Sequence, residues 1–360
     1  MNMAKMGFGN MLDLVDVPRF EAWADQHVPR LGHGPLDLRF LTGGSSNAVY
    51  SVSRGGDTGV LRRPPRVPRP DSAKILGREA RVLQALNGTG VPAPEMWGWC
   101  PDSDVIGSPF YVMSFVDGWT PNGDAPFPEP FERAGPERAG MAFELVRGIA
   151  DLACVDYHAV GLSDFGKPGN FLARQVDRWR GQLAMYHDTE GYAGRHLPGY
   201  DYVADWLSAN TPESPRIGII HGDYGFPNTL FSRTTPCRLA AMIDWELSTI
   251  GDPLLDLGWT IHCFAPRDPA GVPPPANLFD PSFYPSREDL AEAYHEQTGL
   301  PIDRIDYYMI LAQFKLATLL ERKYAEALVG RASQAYGEFF GQLTLDLLVC
   351  AEQLARRTNV

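Results

Sequence analysis

Polar and apolar positions alternate over short distances early in the chain and recur at helical spacing over most of the rest. Asp37 to Leu41 predicts a strand. Ala48 to Ser53 alternates and predicts a second; Thr58 to Arg62, after the Gly55-Gly56-Asp57 turn, predicts a third. Four prolines between Pro64 and Pro70 make that segment a loop. Ser72 to Leu86 carries Ile75, Leu76, Val82, Leu83 and Leu86 at helical spacing and stops at Asn87-Gly88. Glu95 to Trp99 and Phe110 to Phe115 predict two more strands. This order, three strands, a helix and two strands after a short leading helix, is that of an antiparallel sheet with one inserted helix.

After Asp117-Gly118 the period changes. Pro121 to Pro136 is proline-rich and connective. Helical patterns then cover about 136–159, 168–186 and 200–209, whereas 217–251 breaks into short strand-like pieces and turns. Ser286 with Asp289 has the form of a capping box, opening a helix that stops at Gly299. Ile302 to Leu328 and Ser333 to Leu354 predict two long closing helices. The expected fold class is α+β: a lobe of residues 1–116 built on a small antiparallel sheet with one helix, a hinge near 114–118, and a larger, mainly helical lobe of residues 117–360.

Composition narrows the function. At 360 residues, with 44% hydrophobic and 21% charged, the chain has material for two domains or one two-lobed unit. The net charge of -12 argues against a general binder of nucleic acid or of anionic membranes, while leaving room for a local basic pocket. Five widely spaced cysteines, an odd number with no CxxC pair, argue against a disulfide framework or a cysteine-rich zinc site, and suit a reduced, cytoplasmic protein. Asp13 and Asp16 interrupt the apolar stretch after Lys5, so no signal peptide is expected, and no run approaches 18 apolar residues.

The chemistry concentrates in Ile219-Ile220-His221-Gly222-Asp223-Tyr224-Gly225-Phe226-Pro227-Asn228-Thr229-Leu230-Phe231 and in Met242-Ile243-Asp244-Trp245-Glu246. Each places a carboxylate just past a short apolar strand. Asn228 and Asp244 offer hard oxygen ligands suited to Mg²⁺, and Asp223 remains to accept a proton. Phosphoryl transfer requires that division: a metal to offset phosphate charge and a carboxylate to orient the attacking hydroxyl. A lone Asp in a turn is usually a turn former or a helix cap; the paired pattern favours the chemical reading.

His221-Gly222-Asp223 through Asn228 resembles the catalytic loop of the aminoglycoside phosphotransferase/choline kinase family, and Ile243-Asp244-Trp245-Glu246 resembles its metal-binding segment. Gly251-Asp252-Pro253-Leu254-Leu255-Asp256-Leu257 is similar to the family's next segment, and the likeness runs across essentially the whole chain from about residue 37. The resemblance implies a two-lobed, protein-kinase-like fold using ATP and Mg²⁺ on a small-molecule hydroxyl, with Asp223 as catalytic base and Asn228 and Asp244 holding the metal. It puts the phosphate-covering turn at Thr42 to Asn47, where Gly43, Gly44 and Ser45 admit a close backbone approach. It puts Arg62 where a lysine is ordinary, Arg63 turning to the other face, with Glu79 as its ion-pair partner. Adenine would lie against the backbone of Ser114 and Val116.

Val60-Leu61-Arg62-Arg63-Pro64-Pro65, Gly107 to Met113 and Asp244 to Pro253 further resemble the kinase-like domains related to those fused to acyl-CoA dehydrogenases. This implies an arginine at position 62 as usual, a hydroxyacyl-CoA or hydroxy acid as acceptor, and a functional link to an acyl-CoA dehydrogenase. An anionic acceptor would call on basic residues such as Arg174, Arg178 and Arg180. The alternatives are an aminoglycoside- or choline-type kinase, which an acidic C-terminal lobe would suit, and a nucleotide-binding pseudokinase, which the arginine at 62 would suit. Gly251-Asp252-Pro253 comes too soon after Asp244 for a long activation loop, which disfavours a protein kinase. Gly161 to Pro168 nearly spells a P-loop, but Pro168 stands where a hydroxyl should bind Mg²⁺. His158 reads as a packed or capping histidine at the end of an apolar helix, His221 as an orienting residue, and Asp252 and Asp256 as caps or loop anchors.

Overall fold

The computed structural model describes residues 11–43, 47–121, 127–133, 135–188, 190–275 and 283–358. In chain order its elements are α1 (Val17–His27), β1 (Asp37–Gly43), β2 (Ala48–Ser53), β3 (Gly59–Arg63), α2 (Ser72–Leu86), β4 (Met96–Cys100), α3 (Ser103–Ile106), β5 (Phe110–Ser114), α4 (Pro136–Ala153), α5 (Gln175–His187), α6 (Tyr200–Ala209), β6 (Gly218–Ile220), β7 (Thr229–Phe231), β8 (Leu239–Met242), β9 (Thr249–Gly251), α7 (Leu254–Ile261), α8 (Arg287–Thr298), α9 (Ile305–Leu328) and α10 (Gln334–Arg357). They form two compact units. The first comprises Met1–Phe127, Phe226–Arg233 and Leu239–Ser248; the second comprises Pro128–Gly225, Thr234–Arg238 and Thr249–Val360.

The first unit is organised by a five-stranded antiparallel sheet in the order β1-β2-β3-β5-β4. The two-residue period of β3 decides the fate of its adjacent arginines, because neighbouring side chains leave opposite faces. Arg62 pairs with Tyr111 of β5. Arg63 turns the other way and donates to the carbonyls of Leu14, Pro64 and Ile106. On that side α1 contributes Phe20, Trp23 and Ala24 to a core with Tyr50, Val52, Leu61, Phe110 and Val112. Gly98 of β4 permits the approach, since a Cβ there would sit 3.0 Å from both Trp23 and Val28. Helix α2 buries Leu76, Glu79, Ala80, Val82, Leu83 and Leu86, each apolar side chain contributing on the order of 1–3 kcal/mol. The β7–β8 hairpin joins this unit through a reciprocal backbone pair between Trp119 and Phe231 and through Met242 N–H donating to Pro92 O at 2.7 Å.

The second unit is helical around a two-stranded β6–β9 ladder. Every residue of α7 is buried. The capping box that opens α8 forms as expected, Ser286 accepting from Asp289 N–H and the Asp289 carboxylate accepting from Ser286 N–H, and Gly299 ends the helix in the left-handed region.

Helices α4 and α5 are the ones that fall furthest short of their periodicity. Helix α4 ends at Ala153, not near 159, because the Asp156 carboxylate takes up the N–H groups of His158 and Ala159. His158 therefore lies beyond the helix, exposed and 2.8 Å from Ser163 Oγ, and is not the packed helix-end residue expected. Helix α5 begins at Gln175, after Asn170 turns the chain through φ 52°. The five cysteines are all free thiols. Among the described residues, no helix is long and apolar enough to cross a membrane.

Candidate functional site

In the first unit the β7–β8 hairpin brings two of the expected oxygen donors to the same end. Thr229 pairs with Met242, so the residues just outside the ladder also meet: Ile243 N–H donates to Asn228 O at 2.9 Å. The next residue, Asp244, takes the left-handed conformation, φ 68° and ψ 63°. Most non-glycine residues pay about 1–2 kcal/mol there, asparagine and aspartate less, and the position is held by its surroundings. The indole N–H of Trp245 donates to Met242 O at 3.2 Å, and Arg78 donates to Ser248 O at 3.2 Å.

Arg62 reaches the same spot from β3. One guanidinium nitrogen lies 3.1 Å from Glu79 Oε1 and 2.7 Å from Asp244 Oδ1. Glu79, which alone in the sequence reads as an ordinary surface residue of α2, has no exposed surface, and Tyr111 donates its hydroxyl to it at 3.3 Å. Burial pushes the Glu79 carboxyl up to about 7, with Arg62 pulling against it. Burial also opposes the charge on Arg62, but Tyr111, Glu79 and Asp244 outweigh it, so the guanidinium stays firmly protonated. Glu246, two residues past Asp244, completes a group of three carboxylates. One oxygen from each of Glu79, Asp244 and Glu246 lies within 4.8 Å of the others. A hard-oxygen donor set of this kind fits a divalent cation. Sequence pattern did not mark Glu246 as a ligand, although a second acidic residue two positions past Asp244 is a signal that could have drawn notice.

The remaining expected residues of this unit are spread along the sheet. Gly43 closes β1, paired with Ala48; Gly44 and Ser45 lie outside the described residues. Ser114 ends β5, its N–H donating to Glu95 O at 2.8 Å while its hydroxyl accepts from Glu95 N–H at 2.9 Å. Val116, two residues on, is half-buried.

In the second unit, Asp223 sits in a loop that is held through its backbone. The fully buried Asp256 carboxylate, on α7, accepts from His221 N–H at 2.6 Å and Gly222 N–H at 2.9 Å. Burial pushes Asp256 up to about 6 against those two donors. Gly222 has φ 84°, which glycine alone adopts freely. Asp223 N–H meets His221 Nδ1 at 3.4 Å, and Lys315 of α9 donates to Gly222 O. Asp252 accepts from Leu254 N–H at 3.0 Å and from the Tyr308 hydroxyl at 2.7 Å. Asp252 and Asp256 thus serve as cap and anchor. Of the three arginines considered for an anionic acceptor, Arg174 caps the carbonyls of Lys167 and Gly169, and Arg180 pairs with Asp205 at 2.8 Å. Arg178 lies over the Trp179 ring at 5.0 Å.

A five-stranded antiparallel sheet with its helix, followed by a larger helical unit, is the α+β architecture of the protein-kinase-like phosphotransferases. The model of the phosphotransferase enzyme family matches residues 37–290, and the chain belongs to that family. A structure from Ralstonia eutropha JMP134, described as a candidate aminoglycoside phosphotransferase, is 32% identical, with 96% of this chain and 99% of that chain covered and a TM-score of 0.79. A thermostable mutant aminoglycoside phosphotransferase in ternary complex with AMP-PNP and hygromycin B shares the fold at 16% identity, covering 91% and 98% of the two chains, with a TM-score of 0.54. Acyl-CoA dehydrogenase family member 11 of Gallus gallus is 30% identical over 92% of this chain. The match occupies 42% of that relative, so the chain spans less than half of its length.

Proposed function

We propose that the protein transfers the γ-phosphoryl group of ATP to a hydroxyl of a small molecule, and that the acceptor is a hydroxy acid or hydroxyacyl-CoA. The observation that carries the reading is Arg62 bridging buried Glu79 at 3.1 Å and Asp244 at 2.7 Å. A cation fixed between two carboxylates is pre-organised to meet phosphate oxygens without further side-chain ordering. The nucleotide's phosphates lie against Arg62 and the segment of Gly43, Gly44 and Ser45, and adenine lies against the backbone of Ser114 and Val116. Asn228 and Asp244 hold Mg²⁺, with Glu246 adding a third oxygen ligand; when bound, the ion offsets phosphate charge. Asp223 orients the acceptor hydroxyl and takes its proton late, because an alcohol is too weak an acid to ionise beforehand. Most of the acceleration then comes from positioning and charge. The nucleotide-covering lobe assigned to residues 1–116 falls within the first compact unit, which also takes in 117–127, 226–233 and 239–248.

Family membership supports ATP-dependent transfer, and the AMP-PNP held by a fold relative supports the choice of nucleotide. The acyl-CoA dehydrogenase relative supports the acceptor class and a functional link to such a dehydrogenase. The test has two arms. Incubation with Mg-ATP and a panel of hydroxy acids, hydroxyacyl-CoA thioesters, aminoglycosides and choline is scored by the mass of phosphorylated product. Phosphorylation of the aminoglycosides or choline alone would overturn the acceptor class. Asp223→Asn should lose transfer while still binding Mg-AMP-PNP; a variant that turned over normally would remove the base assignment.

A further inference from the structure

Lys315 is a cation in an unusual place. It lies near the middle of α9, among the buried Ile310, Leu311, Ala312, Phe314 and Ala317. The residue is buried, and its ammonium group is turned inward. It donates to Gly222 O, lies 3.9 Å from the centre of the Trp259 ring, and lies 5.7 Å from that of Trp179. The bond matters because of which atom it holds. The peptide joining Gly222 to Asp223 has two polar ends: its carbonyl oxygen accepts from Lys315 and its N–H meets His221 Nδ1. One residue back, Gly222 N–H is held by Asp256. Asp223 thus leaves a backbone clamped on both sides, and a buried positive charge stands beside it.

We propose that Lys315 is a positioning residue for Asp223: it locks the Gly222–Asp223 peptide and sets a positive charge close to the Asp223 carboxylate. This rests on the reading of Asp223 as the base. The charged groups acting on Lys315 are Asp223 from the loop, Asp256 from α7 and Arg178 from α5, and His221 accepts the neighbouring Asp223 N–H. Burial, with Arg178 acting the same way, lowers the Lys315 ammonium to about 8, while Asp223 and Asp256 favour its charge. The side chain is therefore charged at neutral pH and loses its proton within reach of experiment. An ammonium beside a carboxylate favours the ionised acid, so removing it raises the pH at which the acid loses its proton.

The test compares Lys315→Met, which keeps the volume without the charge, and Lys315→Arg, which keeps the charge. The readouts are Mg-AMP-PNP affinity, Mg-ATP turnover with water as the acceptor, and ¹³C-carboxylate titration of Asp223 assigned by difference from Asp223→Asn. In Lys315→Met, turnover should fall roughly tenfold to a hundredfold, the Asp223 titration should move up by about one unit, and nucleotide affinity should stay within about twofold of the unaltered protein. Lys315→Arg should restore the titration. A folded Lys315→Met with an unmoved Asp223 titration overturns the proposal. If that variant does not fold, Lys315→Gln, which keeps a donor without the charge, decides: its Asp223 titration should likewise move up by about one unit. An unmoved titration there overturns the proposal equally. Should Asp223→Asn retain turnover, the base reading falls while the carboxylate titration still reports on Lys315.

Discussion

The two units each bury a cation and a carboxylate close together, and they use them for opposite purposes. In the first, Arg62 directs its charge at side chains, gripping Glu79 and Asp244 directly. In the second, Lys315 and Asp256 direct theirs at backbone, one at the Gly222 carbonyl and the other at the His221 and Gly222 N–H groups. The difference reflects what each must present. In the first unit the fork of an arginine on the sheet is braced by two acids, as the proposed phosphate contact would require. At Asp223 it is the backbone that is braced, through the carbonyl and N–H groups on either side of Gly222.

Breaking the comparison at its chemical end should give the largest effect. Asp223→Asn is expected to reduce phosphoryl transfer by about 10²–10⁴-fold with little change in thermal stability, checked by turnover and melting on one preparation. Breaking the other end should appear as stability. Arg62→Ala leaves Glu79 buried without its partner, which should cost about 3–5 kcal/mol in urea unfolding. The double substitution Arg62→Met with Glu79→Leu should recover most of that loss while leaving nucleotide binding impaired, since the pair is then replaced by apolar contacts.

Asp256→Asn sharpens the contrast more gently. Its amide turns a donor toward a backbone N–H, at an expected cost of about 1–3 kcal/mol. The pH dependence carries the sign. Asp256 is raised from 3.8 to about 6 in the folded protein, so the stability it contributes is full below about pH 4 and is lost as pH rises through about 6. The Asn variant should flatten that slope, measured as unfolding free energy between about pH 4 and 7. The smallest effect belongs to a residue outside both clusters. Ser286→Ala removes the first-turn cap of α8 and should cost about 1 kcal/mol in unfolding with turnover unchanged.

Much of the fold is legible in the chain itself. The bounds of β2, α2 and α6 fall where the alternation and helical spacing put them, and the capping box of α8 forms between the residues that announce it. The resemblance implies the Arg62–Glu79 pair, with strand period choosing Arg62 over Arg63. What stayed hidden depends on contacts distant in sequence. Lys315 stands 93 residues from the carbonyl it holds, inside an apolar helical run where a lysine ordinarily extends its amine to solvent. Glu79 shows the converse: only the packing of α2 reveals that an unremarkable helix glutamate has no exposed surface. The early end of α4 turns on a side chain competing for backbone N–H groups, which periodicity does not register.

The left-handed backbone at Asp244 narrows what can ever stand there. Glycine, asparagine and aspartate enter that region at low cost, and of these only aspartate carries a negative charge. Local geometry and electrostatic need are separate filters, and one residue type passes both. Glutamate keeps the charge, but its longer side chain lacks the short local hydrogen bond that lets aspartate offset the strain.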